Sequence, residues 1–321
     1  MNTAADFLYS RIRLVSRIAI AGAIALSLVF RNLISTSNIS WQLLLAFVAL
    51  AIGIPHGAVD HLISIPRNSL KQFISFIVIY VAIAIAALLF ILYFNLIGFE
   101  IVIWMSAFHF GIGDLTYICE NDRLAGKPQM QRVLQFFYLC SAGALPVIIP
   151  LVQPKSRSAL EGINPDLIQW AGAHADQLKA SVLLIAGISV VLLIFFKRLN
   201  EVFDLVLLAS LSLIAPPLVA FAFYFGCWHA LRHTARLTML LPESESALKS
   251  GDWKRALKLV VLPGLPSLFG AVLISGFIFL LRDSTNKDSI LWFLLALVWA
   301  LTVPHMMATF RFDLKSLRTQ N

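Results

Sequence analysis

Long, uninterrupted apolar runs dominate this chain and leave it few ways to fold. Runs of about 18 or more apolar residues are typical of helices that cross a bilayer. No water is available there to satisfy backbone amides and carbonyls, so only helices and closed barrels span a membrane. The runs here are continuous, whereas a barrel strand alternates apolar and polar residues. The sequence therefore predicts an all-α, polytopic integral membrane helical bundle.

Composition and charge agree with a membrane location. Of the 321 residues, 59% are hydrophobic and 13% are charged, whereas an ordinary soluble domain has about 25% charged residues. The net charge of +8 comes from Lys and Arg that stand mostly in short segments between the apolar runs. We interpret them as topology signals and contacts with anionic membrane lipid, not as a nucleic-acid surface. The three cysteines form no CxxC pair, so neither a disulfide framework nor a cysteine zinc site is predicted.

The apolar runs predict about ten transmembrane helices, and we expect residues 1–321 to form a single integral membrane domain. The first run is interpreted as a span and not as a cleaved signal, because no small-residue cleavage site closes it convincingly. A helix break is predicted at Pro216-Pro217, since proline disrupts a helix and restricts the residue before it. The predicted helices cover residues 14–30, 41–61, 71–95, 99–118, 131–153, 178–196, 202–216, 218–241, 257–281 and 289–312.

The distribution of Lys and Arg orients the predicted bundle. With both termini in the cytoplasm, seventeen of the 25 lie in cytoplasmic segments and six on the opposite side. Lys and Arg are enriched in cytoplasmic loops, so we expect a multi-pass protein of the cell (inner) membrane with both termini cytoplasmic. This orientation depends on the break at Pro216-Pro217, because one long helix there would reverse the last two spans.

Histidines carry the main functional signal. An ionisable side chain within a membrane is costly and usually marks a functional site. A single buried histidine is explained as well by a hydrogen bond to a neighbouring helix, but six of seven in apolar spans favour a common site. Only His174 lies in a polar loop. The six in or at the end of predicted spans are His56, His61, His109, His229, His233 and His305.

The predicted topology places these histidines at a similar depth. They fall on the second, fourth, eighth and tenth helices, each between the middle of its span and the cytoplasmic end. His229 and His233 are four residues apart and therefore lie on one face of a helix. The same spacing lets the two histidines of HExxH chelate one metal ion, although no glutamate is present here. Arg232, between them in sequence, is expected to face away and to pair with a carboxylate or a backbone carbonyl.

Two further segments combine histidine with aspartate. GIPHGAVDH contains His56, Asp60 and His61, and FHFGIGD contains His109 and Asp114. A carboxylate beside a ligating histidine can accept its other ring N–H and fix the tautomer. The alternative for either aspartate is a helix-end group at the cytoplasmic interface.

His305, in TVPHMM, is a fifth candidate ligand or a hydrogen-bond partner. Imidazole suits Zn, Cu, Fe and Ni, and composition alone does not choose among these metals.

In order and spacing, GIPHGAVDH, FHFGIGD, APPLVAFAFYFGCWHALRH and TVPHMM resemble the motifs of the Brp/Blh family of prokaryotic membrane β-carotene 15,15′-dioxygenases. The resemblance covers residues 50–312. It implies a non-haem Fe(II) enzyme that uses O₂ to cleave the central double bond of β-carotene. The product would be two molecules of all-trans-retinal, which serve retinal-binding rhodopsins.

The resemblance also assigns residues. It implies that the metal ligands, and with them the catalytic residues, are His56, His109, His229 and His233. Asp60, Asp114 and His305 match further positions of the family. The segment before residue 40, with one predicted span, is less typical of the family, and its role is open.

Aromatic residues near the histidines are candidates to line an apolar substrate tunnel, although ordinary packing or lipid contact explains most of them. They are Phe108, Phe110, Phe221, Phe223, Phe225 and Trp228.

Three other functions stay open at this point. A two-metal membrane desaturase or hydroxylase is disfavoured, because the chain has no HH pair. A haem-binding electron carrier would use histidine pairs as axial ligands. A histidine-rich membrane transporter or proton channel would use His and Asp as relays.

Overall fold

The computed structural model describes residues 3–30, 40–65, 69–154, 156–270, 273, 276 and 287–318. These residues are predominantly helical and include no β-strand, which confirms the all-α prediction. The helices are α1 (Thr3–Val29), α2 (Ser40–Gly57), α3 (Asp60–Ser64), α4 (Leu70–Tyr93), α5 (Asn95–Leu124), α6 (Arg132–Val152), α7 (Ser156–Ile163), α8 (Ala175–Phe195), α9 (Leu199–Ile214), α10 (Pro217–Ala222), α11 (Ala230–Leu240), α12 (Pro242–Lys249), α13 (Trp253–Val261) and α14 (Lys287–Arg318).

Seven helical segments of the described chain are long and apolar enough to cross a membrane. In the 18-residue apolar window of α4, only 11% of the residues are buried. The exposed face of this helix consists of large aliphatic and aromatic side chains. Such a surface suits lipid and not water. The chain is therefore a polytopic membrane protein. The seven segments are Ala4–Val29, Ser40–Ser64, Leu70–Tyr93, Asn95–Leu124, Arg132–Val152, Gly172–Phe195 and Leu291–Arg318.

The number of spans stays a prediction. Helix α9 has only 16 residues, and part of the predicted helix 257–281 lies outside the described residues. The break at Pro216-Pro217 is present: α9 ends at Ile214, Ala215 is extended, and Pro217 begins α10.

The predicted helix 218–241 consists of three parts. Between α10 and α11 the chain forms a π-helical segment, Phe223–His229, in which the Ala230 amide donates to the Phe225 carbonyl five residues earlier. Such segments are rare and occur frequently at functional sites. His229 is the last residue of the π segment, and His233 lies one turn further along α11.

Close packing of α5 on α6 fixes the middle of α5. Gly111 and Gly143 lie at this contact, where an added Cβ would overlap the carbonyl of Leu139 or of Ala107 respectively. Small residues allow membrane helices to approach this closely.

Replacing Gly143 with alanine is expected to destabilise the protein by about 1–3 kcal/mol, because the overlap is with backbone and no side-chain rotation relieves it. The thermal unfolding midpoint of the detergent-purified protein measures the effect. Gly187→Ala in α8 is the matched control, since a Cβ there meets nothing within 4 Å. Equal midpoints for the two variants would contradict this packing.

Candidate metal centre

Five histidines meet in the interior of the bundle. His56 comes from the end of α2, His109 from the middle of α5, and His305 from α14; His229 and His233 come from the π segment and α11. Each is at most 6% exposed. The ring of His56 lies 5.0 Å from that of His233, 5.2 Å from that of His305 and 5.5 Å from that of His229, between centroids. The ring of His109 lies 5.0 Å from that of His229 and 5.3 Å from that of His305. We call these five residues the histidine cluster.

Several imidazoles of the cluster carry a buried nitrogen without a hydrogen-bond partner. These atoms are Nδ1 of His56 and Nε2 of His229, His233 and His305. A buried polar atom left unpaired costs about 1–3 kcal/mol, so four of them in one cluster require a physical explanation. Imidazole nitrogens are common metal ligands, and a shared cation would satisfy them together.

The spacing of the rings fits a single ion. A metal–nitrogen bond of about 2.1 Å places an imidazole centroid roughly 3.2 Å from the ion, so neighbouring ligands have centroids about 4.5–5.2 Å apart and opposite ligands about 6.4 Å apart. The cluster distances run from 5.0 to 6.5 Å. Within the described residues, however, no three His, Cys, Asp or Glu side chains already converge as a metal site. Metal binding therefore requires the ring nitrogens to converge further than they do in this structure.

A carboxylate holds His305. Nδ1 of His305 lies 2.8 Å from Oδ2 of Asp60, and the Tyr80 hydroxyl donates to the same oxygen at 3.4 Å. With Nδ1–H donated to Asp60, the unprotonated Nε2 of His305 is available to a metal, an arrangement common among metal-binding histidines. Asp60 could share a face with His56 only if α2 continued, but α2 ends at Gly57 and Asp60 begins α3.

Thr309 is a functional candidate that the sequence analysis missed. Its hydroxyl donates to the His305 carbonyl at 2.9 Å and lies 3.4 Å from Nδ1 of His109. It can therefore accept the Nδ1–H of His109 and leave Nε2 unprotonated. The available signal was its position four residues after His305, which places both on one helix face.

The role expected for Asp114 was wrong. Its Oδ1 accepts from Arg232 Nη1 at 2.5 Å and from Trp228 Nε1 at 3.1 Å, and its Oδ2 accepts from the Tyr138 hydroxyl at 2.8 Å. It pairs with arginine and not with an imidazole, and it lies inside α5, not at a helix end. The expectation that Arg232 pairs with a carboxylate is confirmed.

His61 lies outside the cluster. Its ring packs against Phe73 at 5.7 Å between centroids, and its Nδ1 lies 3.1 Å from the Ala58 carbonyl oxygen. His174 lies in an exposed turn, as predicted.

The aromatic candidates do not all lie at the histidine cluster. Phe110 and Phe225 pack on His229, at 4.5 and 6.1 Å between centroids, and Phe221 stacks on Phe225. Phe108 instead is 47% exposed and faces outward. Trp228 contacts the guanidinium of Arg232.

Replacing Gly57 with alanine is expected to weaken divalent-metal binding roughly tenfold, as supporting-residue mutations do. The added Cβ would lie 3.2 Å from Nδ1 of His305, the atom that contacts Asp60, so this ring must shift by a few tenths of an ångström. Titration of the purified protein with Co(II), followed by visible absorption, measures the affinity. Gly22→Ala, where a Cβ has nothing within 4 Å, should match the wild type. An unchanged affinity in Gly57→Ala would show that the Asp60–His305 contact does not position this ring.

A helical membrane bundle around a buried histidine cluster defines a class of histidine-rich integral membrane proteins. Within that class, the chain belongs to the family described as beta-carotene 15,15′-dioxygenase, whose model matches residues 46–310. This confirms the family predicted from the four motifs.

The chain is similar to two curated proteins. The beta-carotene 15,15′-dioxygenase of uncultured marine bacterium 66A03 is 29% identical over 195 residues, which are 57% of this chain and 64% of that protein. The chain thus matches less than two thirds of that relative's length. The probable beta-carotene 15,15′-dioxygenase Blh of Halobacterium salinarum is 24% identical over 293 residues, with 80% of each chain covered. No solved structure matches significantly.

Proposed function

We propose that this protein is a membrane non-haem iron dioxygenase that cleaves β-carotene with O₂ at its central 15,15′ double bond. The balanced reaction breaks one carbon–carbon double bond and adds one oxygen atom to each carbon, so that one β-carotene gives two all-trans-retinal. The observation that carries the proposal is the buried histidine cluster with its unpaired ring nitrogens. Membership of the family and the names of both relatives support the reaction type.

The cofactor we propose is Fe(II), held by His56, His109, His229 and His233, with His305 as an additional ligand or a neighbour of the ion. Neutral imidazoles suit divalent iron and leave positions open. When bound, such an ion supplies the activation of O₂ that a hydrocarbon polyene and side chains alone cannot provide.

Protein side chains orient the ligands and shield the site from water. Asp60 and Thr309 set the tautomers of His305 and His109 so that Nε2 is available for the metal. Phe110 and Phe225 cover His229 with apolar rings, which favour a hydrocarbon and exclude water from the reacting atoms. β-Carotene has no polar group, so we expect shape alone to set which double bond lies beside the metal.

We also propose the cellular setting. The substrate dissolves in membrane lipid and would enter from the bilayer, past the apolar outer surfaces of the helices. The protein would be a single integral domain over 1–321 in the cell (inner) membrane, with both termini cytoplasmic. A retinal-binding rhodopsin would receive the product.

Expression in β-carotene-producing bacteria tests the function. Aerated cells should turn from yellow to colourless and accumulate about two retinal molecules per β-carotene lost, measured by chromatography. His56→Ala should abolish the conversion, whereas His61→Ala, outside the cluster, should retain it. Unequal fragments would contradict central cleavage. Persistent β-carotene in cells that contain the folded protein would contradict the proposed dioxygenase activity. A Soret band of the purified protein would instead indicate a haem-binding electron carrier.

A further inference from the structure

Two buried arginines on α11 lie close in sequence to His229 and His233. Arg232 and Arg236 are four residues apart and 2% exposed, so they form a stripe roughly 60° around the helix from His229 and His233. A buried guanidinium must be paired, because an unpaired charge in an apolar interior costs several kcal/mol. What pairs with these arginines therefore constrains the rotation of α11.

Carboxylates from three other helices hold the two arginines. Arg232 pairs with Asp114 of α5 and, at 3.4 Å, with Asp204 of α9. Arg236 pairs with Glu120 of α5 at 3.0 Å and with Asp313 of α14 at 2.6 Å.

Helix α1 takes part in both networks. Arg13 donates to Oδ2 of Asp204 at 2.7 Å and to Glu201 at 2.8 Å, and Arg17 donates to Oδ1 of Asp204 at 2.6 Å. Asp204 thus lies between two arginines of α1 and Arg232. The Tyr9 hydroxyl donates at 2.9 Å to Oε2 of Glu120, the oxygen that also accepts from Arg236.

Helix α1 lies wholly outside residues 46–310, the part that matches the family model. Nevertheless it packs against α9, the π segment and α11. Its buried polar residues therefore connect a segment outside the family match to the π segment and α11, which carry His229 and His233 respectively.

We propose that α1 is a positioning element for the metal centre. Through Arg13 and Tyr9 it fixes Asp204 and Glu120, these hold Arg232 and Arg236, and α11 is thereby kept at the rotation that directs His229 and His233 into the cluster. The inference rests on the proposed function, since it assumes that the cluster binds a metal.

The π segment explains why such a restraint matters. The i→i+5 hydrogen bonding of the π segment sets the register with which α11 begins. A shift of that register by one residue would rotate α11 by about 100° and carry the His233 imidazole away from His56. Paired arginines oppose this rotation, because it would separate buried charges.

Titration of the purified full-length protein with Co(II), read by visible absorption, tests the inference without turnover. Arg13→Gln should weaken Co(II) binding roughly tenfold, because residues that orient ligands have an effect of this size on metal affinity. It should also alter the absorption bands. Arg13→Lys keeps the charge but not the fork that reaches Glu201 and Asp204 together, so it should restore part of the affinity. Tyr9→Phe keeps the ring and should weaken binding severalfold.

Two controls separate positioning from general destabilisation. Arg11→Gln removes an exposed arginine of the same helix and should leave affinity and spectrum unchanged. Gly98→Ala places a Cβ 2.8 Å from Cα of Ile91 and should lower the unfolding midpoint with affinity preserved.

The outcomes are distinct. Wild-type affinity and bands in Arg13→Gln would overturn the inference. If that variant does not fold, wild-type values in both Arg13→Lys and Tyr9→Phe would overturn it instead. A wild-type chain that binds no Co(II) would overturn the proposed metal centre and the inference together, whereas binding unchanged by the variants would overturn the inference alone.

Discussion

Alanine at His229 or His233 is expected to remove bound iron and to lower retinal formation by at least about 100-fold. Loss of residues that merely orient ligands lowers metal affinity or activity by about 10–100-fold. We expect the loss of a ligand itself to lower them by about 100-fold or more. These two imidazoles lie within 5.5 Å of the His56 ring, and each has an unpaired Nε2. Iron per purified chain and retinal per cell measure the two effects.

The matched control for this prediction is His174→Ala. His174 is exposed, unlike the five buried histidines of the cluster, and its Nδ1 lies 2.6 Å from Oε1 of Gln177. It should retain both iron and activity. Full activity with iron still bound in His229→Ala would refute the ligand assignment.

Replacing Asp114 with alanine is expected to lower the free energy of unfolding by about 3–5 kcal/mol, as breaking a buried ion pair does. The change leaves Arg232 without its shortest ion-pair contact, and it removes the acceptor of the Tyr138 hydroxyl and the Trp228 indole. Unfolding by denaturant in detergent micelles, followed by tryptophan fluorescence, measures the loss.

Asp176→Ala is the control for that loss. Asp176 is exposed in the first turn of α8, where a carboxylate contributes at most about 1 kcal/mol through the helix dipole. Comparable destabilisation of both variants would contradict the assignment of Asp114 to a buried network that supports the fold.

The helical framework could be predicted because hydrophobicity is local in sequence. An apolar run of sufficient length can only form a helix or a barrel strand in a bilayer. Pro216-Pro217 ends one helix and begins the next, because proline interrupts a helix in any surroundings. The predicted limits of the helix 71–95 therefore agree closely with α4, Leu70–Tyr93.

Convergence of His56, His109, His229, His233 and His305 was also predictable. Each is an unusual residue in an apolar span, and the predicted orientation gave them a common depth. His61, equally unusual, lies elsewhere because α2 ends at Gly57 and the ring turns toward Phe73. Position in a span was therefore informative, but it did not by itself assign a residue to the cluster.

Partners distant in sequence could not be predicted. Asp60 lies 245 residues from His305 and Arg13 lies 191 residues from Asp204, so no local pattern links them. Asp114 was assigned to a histidine because a histidine is near it in sequence, whereas packing of α5 against α11 brings Arg232 closer. The π segment was missed because its sequence, FYFGCWH, has the composition of an ordinary apolar helix.

The central claim is that imidazoles from separate helices bind one ion. X-ray absorption at the iron edge of purified, Fe(II)-loaded protein tests it most directly, because the outer-shell scattering of imidazole rings reports how many are bound. We expect one iron per chain with at least three imidazole ligands, and loss of that scattering in the His56→Ala/His229→Ala double variant. Iron surrounded by oxygen ligands alone, or scattering unchanged in the double variant, would contradict it.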